Sequence, residues 1–226
     1  MRKSCGAVIV AAGSAQRMGG IDKMLVPLLG RPVLLHTVRA IAASERIDRI
    51  YIVTRGELVE QVKNLCADER KVAQVLCGGA SRAESVLRGI SAVTEEMVAI
   101  HDGARPLVTP QIIEQAVLVA EEMGAAAPAI AVHDTIKVAQ GGLVLQTPDR
   151  STLFAVQTPQ VFDRERITGA LQEAVARDLP LTDDCSAMEL AGYAVRLTEG
   201  SEENLKITVP ADLALAEAIL LRRRPE

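Results

Sequence analysis

Tryptophan is absent from the chain, and its 226 residues include only two phenylalanines and two tyrosines. A core built from this sequence is therefore aliphatic, and the aromatic platforms on which single-stranded nucleic acids stack are missing. Positive charge is also in short supply. The formal net charge is −4 with no long basic run, which argues against nucleic acid as the main partner. The four cysteines, Cys5, Cys66, Cys77 and Cys185, lie far apart and form no C-x-x-C pair. That is the usage of a reducing compartment, not of a disulfide framework or zinc site. No segment reaches the apolar length that a bilayer span needs, and the first apolar run is too short for a signal sequence and is broken by Gly13. Together these absences predict a soluble, cytoplasmic chain with no membrane or nucleic-acid partner.

What is present is a hydrophobic fraction of 49%, ample for one sizeable α/β domain over residues 1–226, and a distinctive N-terminal stretch, AVIVAAGSAQRMGGIDK. Ala7 to Ala11 has the pattern of a strand buried on both faces. It breaks into a loop with Gly13, Ser14, Gly19 and Gly20, with Arg17 inside and Lys23 at its end. Small residues let backbone N–H groups converge on phosphate oxygens while the two cations neutralise charge. The Walker loop is excluded because Lys23 is followed by Met24. The dinucleotide fingerprint is excluded because the glycines lack its spacing, which also disfavours a nicotinamide-dependent reductase. On its own the loop is equally an ordinary strand-to-helix turn carrying two solvated cations.

Further along, strands at Ile50–Val53, Val72–Leu76 and Met97–Ile100 alternate with helices from Leu34, Leu58, Arg82 and Pro110. This alternation predicts a Rossmann-like, mostly parallel central sheet flanked by helices, with ligands beyond the carboxyl ends of the strands. The alternation stops after Ala127–Val132. Thr135–Val138, Gly141-Gly142 and Leu143–Gln146 read as a hairpin, so residues 133–152 are expected to form a protruding β-arm. A ribbon of two strands is marginal alone and should pack on something, such as a second subunit. Leu153–Val156 and Val161-Phe162 return to the sheet, helices follow at Arg166–Ala176 and Asp183–Leu190, and Pro210 to Arg224 closes the chain as a helix. Arg222 to Arg224 read as a solvated helix end complementing the macrodipole.

Five polar constellations need a common explanation. The first is the loop from Ala11 to Lys23. The second, Gly78-Gly79-Ala80-Ser81-Arg82-Ala83-Glu84-Ser85, is either an anion site at a helix N-terminus or a Ser81/Glu84 capping box. The third, His101-Asp102-Gly103-Ala104-Arg105-Pro106, is either a Mg²⁺ ligand after a buried strand or a turn with Asp102 paired to Arg105. The fourth joins Asp149-Arg150 with Thr158-Pro159-Gln160. The fifth joins Thr182-Asp183-Asp184 with Asn204-Leu205-Lys206-Ile207-Thr208.

Taken together, AAGSAQRM, GGASRAESV, HDGARP, AVHDTIK, TPQVF, LTDDCSAME and ENLKIT followed by PADLALAE resemble the 2-C-methyl-D-erythritol 4-phosphate cytidylyltransferases of the non-mevalonate isoprenoid route. The first motif alone marks only the wider nucleotidyltransferase superfamily; the set covers nearly the whole chain. The resemblance implies transfer of CMP from CTP to a sugar-alcohol phosphate with Mg²⁺ and release of pyrophosphate. By motif position it implies that Arg17 and Lys23 stabilise charge on the triphosphate, with Arg150 and Lys206 holding the acceptor's phosphate. Ala11, Ala12, Gly13, Ser14, Gly78, Gly79, Arg82 and Ser85 would line the nucleotide pocket. Asp102 would face the metal or the acceptor, and Arg105, Thr135 and Thr182 would make further acceptor contacts. The arm would clasp a second subunit in a homodimer. Where the family usually has Pro-Lys-Gln, this chain has Asp22-Lys23-Met24, which sets a negative charge beside the lysine and removes a hydrogen-bonding side chain. Cys185 reads as a packing residue. The same motifs also suit ribitol 5-phosphate as acceptor, and a nucleotide-binding protein without catalysis is a third reading.

Overall fold

The computed structural model describes residues 2–13 and 23–223. The expectations for Ser14, Arg17 and the loop glycines after them lie outside the described residues. The chain runs β1 (Cys5–Ala11), β2 (Pro27–Leu28), β3 (Arg31–Pro32), α1 (Val33–Ala42), β4 (Arg49–Thr54), α2 (Val59–Leu65), β5 (Val72–Cys77), α3 (Arg82–Ile90), β6 (Met97–Asp102), α4 (Pro110–Met123) and β7 (Ala125–Ala131). It continues through β8 (Val138–Gln140), β9 (Leu143–Gln146), β10 (Phe154–Val156), β11 (Gln160–Asp163), α5 (Arg164–Ala176), α6 (Asp184–Leu190), β12 (Arg196–Glu199) and α7 (Pro210–Arg222).

Eight strands form the main sheet in the order β10-β7-β11-β6-β1-β4-β5, with β12 beside β7. Pairs β6–β1, β1–β4, β4–β5 and β12–β7 are parallel, whereas β11 runs antiparallel to both β6 and β7. The mostly parallel α/β sheet expected from the alternation is what forms. β1 lies inside the sheet between β6 and β4, and its side chains divide between two cores. Ala7, Ile9 and Ala11 pack with α1, α2 and α4, and Val8 packs on the other face with α3, α5 and α6. Burial on both faces is why this strand is apolar without alternation. β6 extends two residues beyond Ile100, because β1 continues alongside it and Val10 pairs opposite Asp102. His101 and Asp102 therefore belong to a buried strand end and not to a loop.

Local signals set several element boundaries. The Ser81 hydroxyl caps α3 by accepting from the Glu84 N–H at 3.1 Å. Thr109 caps α4, with Pro110 in its first turn. β8 and β9 pair antiparallel as a separate sheet, turned by Gly141 and Gly142 at φ of +57° and +82°. That backbone region is open to glycine without strain and matches the twist of a tight hairpin. The paired part is shorter than the sequence suggests, since Thr135 precedes β8 and only Val138–Gln140 pairs. Arg222 and Arg223 are exposed, as a solvated helix end should be, but they also have partners that the sequence did not suggest. Arg222 and Arg223 both pair with Glu203, and Arg223 donates to the Leu107 carbonyl at 2.9 Å. α7 also buries Ala216 and Ile219 with Leu28, Val33, Leu107 and Ile207, so it braces the segment that carries Lys206.

Candidate active site

The carboxyl ends of β1, β5 and β6 open into a cavity of about 310 Å³ whose lining includes Ala12, Gly13, Lys23, Gly79, Arg82, Ser85, Asp102 and Lys206. The loops after β1 and β5 touch there. A Cβ on Gly78 would lie 2.6 Å from the Ala12 Cβ and 2.9 Å from the Ser85 Oγ. One on Gly79 would lie 2.4 Å from the Glu84 Cβ. Glycine is needed at both positions for close approach. Ser85 Oγ accepts from the Gly79 N–H at 3.0 Å and donates to the Ser81 carbonyl at 2.9 Å, pinning the loop. Arg88 donates to the Gly78 carbonyl from the outside at 2.7 Å. Ser81 caps the helix as expected, but the reciprocal half of a capping box does not form, because the Glu84 carboxylate accepts from the Ala80 N–H at 2.9 Å and not from Ser81; Gly79, Arg82 and Ser85 line the cavity.

Asp102 is the electrostatic centre. Its carboxylate lies 2.9 Å from Lys206 Nζ, 3.5 Å from Arg105 Nε and 3.9 Å from Arg82 Nη2. Burial alone would raise the Asp102 carboxyl, but Lys206, then Arg82 and Arg105, outweigh it and hold it at about 2. It is therefore ionised at neutral pH. Arg82 grips the enclosed Asp184 through two parallel bonds of 2.9 and 2.7 Å. Burial works against the Arg82 cation, yet Asp184 more than offsets it and keeps the guanidinium charged. Asp184 is in turn oriented by Gln160, whose Oε1 accepts from the Asp184 and Cys185 N–H groups at 2.9 and 3.0 Å.

Not every expected residue joins this cavity. Ala11 is the buried end of β1, Gly78 packs behind the lining against Ala12 and Ser85, and Arg105 sits behind Asp102 with its guanidinium donating to the Asn204 carbonyl at 2.6 Å. Lys206, expected at an acceptor phosphate, meets Asp102 in the same cavity as Lys23. Arg150 donates to the His133 carbonyl at 2.6 Å and lines a separate shallow depression with Asp149, Ser151 and Ala131 to His133. Thr135 and Thr182 are exposed and line neither space. The reason is topological: Thr135 and Arg150 flank the β8–β9 ribbon, which is not part of the main sheet. Met24, read as a lost hydrogen-bonding position, is a core residue at 4% exposure. Cys185 packs from α6 into the core with its thiol pushed up by burial, as a packing residue should be. Sequence reasoning did not anticipate Asp184 as the partner of Arg82, or Gln160 as its support. The motifs LTDDCSAME and TPQVF were the available signals, but nothing local linked them.

Among the described residues no group of three or more His, Cys, Asp or Glu could hold a metal. Mg²⁺ is commonly held by one or two carboxylates together with substrate phosphates, and ionised Asp102 supplies one.

A mostly parallel sheet, helices on both faces, and a glycine-backed cavity with cations around one ionised carboxylate at the strand ends define an α/β nucleotidyltransferase. The family model described as 2-C-methyl-D-erythritol 4-phosphate cytidylyltransferase matches residues 5–222. A protein of that name from Rubrobacter xylanophilus is 44% identical, covering 96% of this chain and 95% of its own. One from Alkaliphilus oremlandii is 39% identical over 96% and 95%. Among solved structures, the 4-diphosphocytidyl-2C-methyl-D-erythritol synthase of Anaerococcus prevotii superposes with a TM-score of 0.88 at 27% identity, over 97% of each chain. The Thermus thermophilus 2-C-methyl-D-erythritol 4-phosphate cytidylyltransferase gives 0.80 at 30% identity, over 95% and 98%. The chain belongs to the 2-C-methyl-D-erythritol 4-phosphate cytidylyltransferase family.

Proposed function

We propose that the chain transfers CMP from CTP to 2-C-methyl-D-erythritol 4-phosphate and releases pyrophosphate. An acceptor phosphate oxygen forms the new bond to the α-phosphorus, and the bond from that phosphorus to the α–β bridging oxygen breaks. The acceptor phosphate is already ionised, so no general base is required. Catalysis rests on alignment and on neutralising the charge that develops. The observation that carries this reading is Asp102 held ionised beside Lys206 and Arg82 in a cavity also lined by Lys23. Family membership over nearly the whole chain supports it.

In this reading Gly13, Gly79, Arg82 and Ser85 receive the nucleotide, and Lys23, with Arg17, faces the triphosphate. Lys206 serves the reacting phosphates from its place beside Asp102. When bound, Mg²⁺ would be held by Asp102 and triphosphate oxygens and would offset phosphate charge. Arg150, Thr135 and Thr182 belong to the acceptor side, completed when 133–152, an arm on a single domain of residues 1–226, reaches a second copy of the chain. The exposure of Leu143, Val144 and Leu145 at 74%, 59% and 64% supports a covered ribbon. Among the described residues no helix is long and apolar enough to cross a membrane, and we place the enzyme in the cytoplasm.

The test is pyrophosphate release with CTP and Mg²⁺, comparing methylerythritol phosphate with ribitol 5-phosphate, for wild type and Lys23→Ala. Turnover with the first acceptor that collapses in the variant is expected. Turnover with ribitol 5-phosphate alone would keep the chemistry and replace the acceptor. CTP binding without release from either would leave a nucleotide-binding protein.

A further inference from the structure

Three segments far apart in sequence meet behind Asp102: the end of β6, the link between β10 and β11, and the loop that carries Lys206. Asn204, fully buried, donates through Nδ2 to the Thr158 carbonyl at 3.0 Å and to Gln157 Oε1 at 3.1 Å. The Thr158 hydroxyl meets His101 Nδ1 at 3.1 Å, and His101 Nε2 meets the Arg105 carbonyl at 3.1 Å. Arg105 Nη1 then donates to the Asn204 carbonyl at 2.6 Å and closes a ring of four residues. The partners fix the proton positions. A carbonyl only accepts, so Nε2 of His101 carries the hydrogen, Nδ1 is the acceptor and the Thr158 hydroxyl donates to it. The same hydroxyl oxygen accepts from the Asp102 N–H at 3.1 Å. Oδ1 of Asn204 takes no hydrogen bond from the described residues, so the side chain acts through its two donor contacts.

We propose that Thr158 and Asn204 are positioning residues for the transfer step, holding Asp102, Arg105 and the Lys206 loop in one arrangement through this closed ring. Neither side chain lines the cavity. Every link joins two of the three segments or closes the turn after β6, so opening one bond loosens how the Lys206 loop is set against the Asp102 carboxylate it meets at 2.9 Å, while the Ile207 N–H, donating to the Ala104 carbonyl at 2.8 Å, keeps the loop attached. Opening the ring displaces the groups that act on the phosphates while leaving Gly13, Gly79 and Arg82, which receive the nucleotide, on their own supports. The expected signature is thus a loss in kcat without a loss in CTP affinity. This inference rests on the proposed CMP transfer.

The experiment compares wild type, Thr158→Val, Thr158→Ser and Asn204→Asp in the pyrophosphate-release assay, with CTP binding measured by calorimetry. Thr158→Val removes the hydroxyl at constant shape and should lower kcat about tenfold or more while changing CTP affinity less than about twofold. Thr158→Ser, which keeps the hydroxyl, should return kcat to within about threefold of wild type. Asn204→Asp, which replaces the Nδ2 that donates both bonds by an acceptor oxygen facing the Thr158 carbonyl and Gln157 Oε1, should match or exceed the Thr158→Val loss. Imidazole ¹⁵N spectra add a readout independent of turnover: wild-type His101 should show Nε2 protonated and Nδ1 bare, and Thr158→Val should move the Nδ1 resonance. A folded Thr158→Val with kcat within about twofold of wild type, or an Nδ1-protonated His101, would overturn the proposal. Failure of the underlying reaction looks different, because wild type itself would then release no pyrophosphate, and the positioning role would fall with it.

Discussion

Two regions of the molecule meet water in opposite ways. Around the cavity, charges are drawn inward and paired: Asp102 by Lys206, Arg105 and Arg82, and Arg82 by Asp184. Along 131–156, apolar side chains are turned outward, with Leu143, Val144, Leu145, Phe154 and Val156 all exposed. Buried charges are tolerated only where partners and hydrogen bonds compensate desolvation, so the first region is organised by the chain itself. An exposed apolar run has the character of a surface meant to be covered. The contrast separates a cavity whose charges the chain itself pairs from a ribbon near Arg150 and Thr135 whose apolar side chains face water, which under the proposed function a second copy of the chain would cover.

The strongest way to break that contrast is Asp102→Asn. Removing the central charge leaves Lys206 and Arg105 without their carboxylate, with only Arg82 still paired to Asp184, and kcat/KM for CTP should fall about a thousandfold in the pyrophosphate assay. A loss below about tenfold would mean that the cluster does not organise the site. Next in size is Arg150→Ala, which should raise the acceptor's KM about tenfold while CTP titrations stay unchanged. Equal weakening of both ligands would merge the two regions into one.

A third effect appears in stability. The Asp102 carboxyl is held at about 2, below its ordinary 3.8, so its contribution is complete above the ordinary value and disappears as pH falls through about 2. Melts from mildly acidic pH downward should show wild type losing about 2 kcal/mol that Asp102→Asn lacks from the start. Parallel acid profiles for the two proteins would contradict the ion cluster. The smallest effect on folding belongs to Leu143→Ser with Leu145→Ser, worth about 0.5 kcal/mol or less within a single chain. The same pair should shift sedimentation from dimer mass toward monomer, and a wild type already monomeric would remove the covered ribbon.

Much of the fold was legible because β1, β4 and β6 are apolar on both faces and are followed by helices with one apolar side. The Gly141-Gly142 turn was legible for the same local reason. The insertion of β11 antiparallel between β6 and β7 was not, since a four-residue strand carries no mark of its neighbour. The cavity residues Gly13, Lys23, Gly79, Arg82, Asp102 and Lys206 could be picked out as motifs. Their pairing could not: Arg82 and Asp184 are 102 positions apart, and only the folded sheet brings α3 and α6 together. Arg222 and Arg223 are exposed as the sequence suggested, but their partner Glu203 could not be foreseen because it lies outside their helix.

The cavity wall has one further consequence, for kinetics. Among the described residues its charged lining is Lys23, Arg82 and Lys206 against Asp102, with Asp184 behind Arg82, so cations outnumber carboxylates there by three to two on a chain whose formal charge is −4. A positive hollow in a negative body focuses field lines and draws in polyanions ahead of contact. Triphosphate capture should therefore slow as ionic strength rises, and inorganic phosphate or sulfate in the buffer should compete for the same hollow.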